Sequence, residues 1–105
     1  MEISKKDWKL YREKIAVWQE NYMDHLNKEY MVLLSSDDGN PSDKFWKLVE
    51  RIKEDRKHPG VIIEMGKSNA IFDIAGLIAR KVITYKDLED FSDELKEAVK
   101  MIPDR

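Results

Sequence analysis

The sequence has no cysteine, only two histidines, three prolines and four glycines in 105 residues. Without cysteine there is no disulfide framework, no thiolate zinc site and no thiol nucleophile. His25 and His58 lie far apart in the chain, which leaves few nucleophile–base pairs to draw on. Charge of one sign is also missing, because 19 basic residues face 21 acidic ones and leave a formal net charge of -2. That balance disfavours a nucleic-acid binder held by overall positive charge. No apolar run approaches the ~18 residues of a membrane span, and Met1–Lys6 opens no signal-peptide core. These absences predict a soluble, cytoplasmic protein with no membrane partner. Gly-x-Ser-x-Gly, P-loop and Gly-x-Gly-x-x-Gly patterns are absent too. The expectation is therefore a protein without catalysis, cofactor or metal.

What is present favours helices. Leu, Ile, Val and Phe supply 27 of the 105 residues, above the ~20% below which chains tend to stay disordered. Trp8, Tyr11, Ile15, Trp18, Tyr22, Leu26, Tyr30 and Leu33 recur at spacings of three and four from Ser4 to Leu34, with no Gly or Pro between. This is one face of a single α-helix. Ser4 is the expected N-cap, with Asp7 at the acidic position of a capping box. About 30 residues at 1.5 Å each give a helix of roughly 45 Å, longer than the ~30 Å diameter of a small domain. Such a helix either breaks or projects from its own bundle.

Ser35–Asn40 reads as a turn, after which Asn40, Pro41 and Asp43 mark the start of a second helix. Phe45, Leu48, Val49 and Ile52 form its apolar face, with Trp46 on the flank and Pro59-Gly60 as its stop. Val61–Met65 is rich in β-branched residues, but no second strand of comparable quality exists to pair with it. A helical turn or an extended segment packed on the bundle is expected there. Ile71, Ile74, Ala75 and Ile78 predict a third main helix capped by Ser68. Thr84–Asp87 and Ser92 then open two short helices that end before Pro103. The fold class expected is all-α, a single domain over 1–105 with a long N-terminal helix, two further main helices and short C-terminal ones.

Four surfaces carry candidate function. His25 and Glu29 share a helical face, but a closed zinc site needs about four ligands. The Asp37–Asn40 loop is acidic, yet Leu34 and Phe45 fall where a calcium-binding EF-hand loop needs carboxylates. Lys47, Arg51 and Arg56 are the residues on which nucleic-acid binding would rest, interleaved with acids in the manner of a solvated face. The residues Asp87, Glu89, Asp90, Asp93, Glu94 and Glu97 make an acidic surface able to mask a basic partner.

The aromatic stripe is the sharpest of these features. Tyr and Trp favour interfaces because one end of the ring tolerates water. Trp8, Tyr11, Ile15 and Trp18 are accordingly the residues expected to bind a protein partner, with a homodimer through the first helix as the leading form.

One resemblance adds to this reading. The stretch Lys44-Phe45-Trp46 through Lys57-His58-Pro59-Gly60-Val61-Ile62-Ile63, then Ile83-Thr84 and Asp87-Leu88 into Phe91–Lys96, resembles small uncharacterised proteins of Gram-positive bacteria and their mobile elements. The matching residues are caps, turns and core positions over about 44–100. The resemblance implies an accessory or inhibitor-like protein acting by contact, and it brings no activity or site residues.

Overall fold

The computed structural model describes residues 2–103 and is all-α. Helix α1 runs Lys5–Ser35, α2 Pro41–Asp55, α3 Ala70–Ala79 and α4 Asp93–Lys100, with single 3-10 turns at Lys67–Asn69 and Tyr85–Leu88. No strand occurs among the described residues, and no helix is long and apolar enough to cross a membrane. The molecule measures 52 × 20 × 20 Å, a shape set by α1. That helix stays unbroken for 31 residues, so it projects from the bundle.

The core gathers the N-terminal half of α1 with α3, α4 and the turns beside them. Tyr11, Ile15 and Trp18 from α1 meet Ile71, Ile74 and Leu77 from α3, then Leu88, Phe91, Leu95 and Val99. A chain of tilted rings links Trp8, Tyr11, Trp18 and Phe91, with successive centroids 6.0, 6.2 and 6.2 Å apart. Of the two courses expected for Val61–Met65, a helical turn or an extended segment, no helix forms over 62–65. Ile63 and Met65 pack against the core while Ile62 is 64% exposed, the alternation of an extended backbone.

The capping residues act mostly as expected, with two corrections. The Asn40 and Thr84 N–H groups donate to Asp43 Oδ2 at 3.1 Å and Asp87 Oδ2 at 2.7 Å, and the Ser92 hydroxyl accepts from the Leu95 N–H. The third helix, however, begins at Ala70, and Ser68 sits inside the preceding 3-10 turn. At α1 the Ser4 hydroxyl accepts from the Asp7 N–H, but the Asp7 carboxylate does not return to Ser4. It receives the Ser92 N–H at 3.1 Å and the Ser92 hydroxyl at 2.5 Å instead. The N-terminus of α4 offers two donors and a favourable dipole, a better site for a buried carboxylate than one exposed N–H.

Tyr11 is fully buried, and its hydroxyl has no hydrogen-bond partner among the described residues. Burial, with a smaller push from Asp73, raises its phenol well above the usual range. An unsatisfied buried hydroxyl costs about 1–3 kcal/mol. Tyr11→Phe should therefore leave stability unchanged or raise it by about 1 kcal/mol in urea unfolding. A loss above that size would reveal a partner for the hydroxyl.

Candidate interaction surface

Beyond Trp18, α1 leaves the core and forms an antiparallel hairpin with α2. Three groups of cross-helix contacts set its register. Near the base, the Gln19 amide donates to the Pro59 carbonyl at 3.1 Å, and Tyr22 stacks on His58 with centroids 4.6 Å apart. In the middle, Arg51 donates to Glu29 at 2.7 Å and to Asp55 at 3.4 Å, while the Tyr30 hydroxyl donates to Asp55 at 2.5 Å. At the tip, Lys44 donates to the Ser36 carbonyl, and Gly39 takes a left-handed φ of 84° that turns the chain between the helices.

Electrostatics follow this geometry. The Tyr30 phenol is pushed up to about 12, first by burial and then by its hydrogen bond to Asp55. Arg51 is held above its usual range chiefly by its hydrogen bond to Glu29. Burial, then the neighbouring Arg80 charge, keeps His58 below its ordinary value. The His58 Nδ1 accepts from the Gly60 N–H at 3.0 Å, a bond open only to a neutral ring.

The side of α2 that meets α1 is mixed, three polar residues with Leu48, and on α1 Leu26 is buried outside the main core. Lys44, Leu48, Arg51 and Asp55, spaced by four, three and four, form the stripe turned toward α1. Phe45, Val49 and Ile52 lie about a quarter turn away. Phe45 is 57%, Trp46 63% and Ile52 44% exposed, and no residue of α2 is buried among the described residues. On α1, Leu34 and Met31 are also exposed, and Met23 is half-buried. In an antiparallel pair, equal rotation past the contact stripe brings both helices to the same side. The half-buried Met23, Tyr30 and Val49 therefore join the exposed Leu34, Phe45 and Ile52 in one apolar face along the hairpin. Scattered exposed apolar side chains are ordinary, but a continuous face of them marks a contact site.

The residues singled out from sequence are distributed differently. Tyr11, Ile15 and Trp18 are buried in the core, and Trp8 is half-buried with the Arg12 guanidinium 5.3 Å above its ring. The projecting end of α1 is its C-terminal end, not the end bearing Trp8 and Tyr11. Periodicity shows which face of a helix is buried but not which end leaves the bundle. Lys47 and Arg51 share one side of α2, whereas Arg56, about two and a half turns further on, points to the opposite side. The three do not form one patch, and Arg51 is already engaged by Glu29 and Asp55.

The other candidates are also placed. His25 pairs with Glu29 at 2.7 Å, and no cluster of three or more metal-ligand side chains forms among the described residues. The acidic residues around α4 are exposed, with Lys14 at 3.3 Å from Asp90 and Lys96 and Lys100 beside Asp93 and Glu97. A separate open groove of about 630 Å³ lies along α3 and the end of α4, lined by Phe72, Gly76, Ala79, Val99 and Ile102.

The apolar face expected of α2, Phe45, Leu48, Val49 and Ile52, is split by the structure: Leu48 turns toward α1, while Phe45 and Ile52 are uncovered. Comparison with protein-family models, curated proteins and solved structures finds no match to this chain.

Proposed function

We propose that this chain is a non-catalytic protein-interaction domain that self-associates through the apolar face of the α1–α2 hairpin. The observation that carries the reading is the outward flank of α2, where Phe45 and Ile52 stay exposed beside the stripe that packs on α1. A two-helix hairpin with one apolar face is half of a four-helix bundle, and a second copy supplies the other half. The 15 residues of α2 extend about 22 Å, and two helices side by side are about 20 Å wide. The projected footprint of about 450 Å² rises with side-chain relief toward the ~800 Å² per partner of stable interfaces.

Phe45→Ser combined with Ile52→Ser should weaken self-association at least about tenfold while leaving helicity intact, because neither side chain supports the core. Light scattering across a concentration series, with circular dichroism alongside, reads both effects. A wild-type chain that stays monomeric throughout, or a dimer indifferent to both substitutions, would remove this reading.

A further inference from the structure

We infer that two copies pack with the acidic part of α1 in one protomer against the basic C-terminal end of α2 in the other, in an antiparallel four-helix arrangement. The inference rests on self-association through the hairpin and specifies how the copies pair. Residues 19–35 carry three acids, Glu20, Asp24 and Glu29, against the single base Lys28. Pro41–Asp55 carries four bases and four acids, and Arg56 and Lys57 directly after it add two bases. The end of α2 is thus opposite in sign to the part of α1 beside it. A two-fold axis parallel to the helices lays each α1 over the partner's α2.

The positions of the charges support this pairing. Glu20 and Asp24 are exposed on the outer flank of the apolar face on α1; Lys53 is exposed on the corresponding flank of α2 and Lys57 in the turn just past its end. The contacts of Gln19 with Pro59 and Glu29 with Arg51 place Glu20 and Asp24 level with the last turn of α2. A two-fold axis parallel to the helices preserves that level, so opposite charges flank the buried apolar strip as they do in coiled-coil pairs. Their present partners, Lys28 for Asp24 at 3.0 Å and Glu54 for Lys57 at 3.9 Å, are exposed and weakly held. The alternative axis, perpendicular to the helices, stacks α1 on α1 and α2 on α2 and brings the two acidic α1 segments together.

Three charge-reversal variants separate these arrangements by sedimentation velocity at low and high salt. Glu20→Lys with Asp24→Lys, and separately Lys53→Glu with Lys57→Glu, should each weaken the homodimer about tenfold at low salt. The chain carrying all four changes should recover self-association to within about threefold and should not exchange subunits with the wild type. Circular dichroism of each variant confirms that the helices remain. A wild-type dimer unaffected by either pair, or a fourfold variant that prefers the wild-type chain, would overturn this pairing while leaving self-association in place. A monomeric wild type would overturn both.

Discussion

Asp7→Ala is expected to destabilise the fold by about 3 kcal/mol, the sum of a lost charge-assisted acceptor and the desolvated donors left behind. The carboxylate is only 3% exposed and joins the starts of two helices that are 85 residues apart in sequence. It receives the Ser92 N–H and hydroxyl, and through that second bond orients the hydroxyl that caps α4 at Leu95. Removing it leaves two half-buried donors without their acceptor and frees the cap to rotate. The corresponding fall in Tm is roughly 10–20 °C for a domain of this size. Asp7→Asn, which retains one acceptor, should fall between the wild type and the alanine variant. Thermal and urea unfolding followed at 222 nm provide the comparison, and an alanine variant within about 1 kcal/mol of the wild type would show that water replaces the carboxylate.

The second large effect is expected at Gly60, in the turn after α2. A methyl group built there would lie 2.8 Å or less from the Cγ, Cδ2 and Cε2 atoms of Tyr22. That ring cannot swing away freely, because it is stacked on His58 with an interplanar angle of 8°. Gly60→Ala should therefore cost about 2–3 kcal/mol by overpacking. The cause can be isolated. In a Tyr22→Ala background the added methyl has room, and the same substitution should cost less than about 0.5 kcal/mol, the size of an independent-site effect. Equal losses in both backgrounds would place the strain in the Gly60 backbone and not against the ring.

Much of the fold was legible from short-range chemistry. Ser4, Asn40, Thr84 and Ser92 stand at helix starts because their side chains or following acids satisfy otherwise unpaired N–H groups. The three-and-four spacing from Trp8 to Leu33 produced one helix, and the length of that helix implied a projecting end. The identity of that end was not legible. The stripe continues without a break from residues that meet α3 and α4 to residues that meet α2, and periodicity is the same in both.

The apolar face of α2 was misplaced for a related reason. Apolar pattern normally points inward, but here only Leu48 of that set turns toward α1, beside Arg51 and Asp55, and their hydrogen bonds to Glu29 and Tyr30 cannot be read from one helix alone. Ser68 preceded a helical pattern and so resembled a cap; the backbone instead begins with a 3-10 turn that moves the helix start to Ala70. Asp7 was recognised as an acid in a first turn, while its partner 85 residues away could be found only in three dimensions.

The unbroken course of α1 also sets an angular phase. The core grips the helix at Tyr11, Ile15 and Trp18, and the free face begins only a few residues later at Met23. With no hinge between them, the bearing of the hairpin face relative to the core is determined by residue count. One residue inserted between Trp18 and Met23 turns everything beyond it by about 100°, whereas seven restore the bearing to within about 20°. Lengthening the chain there thus re-aims the hairpin like an index on a shaft, without altering a single side chain of either half.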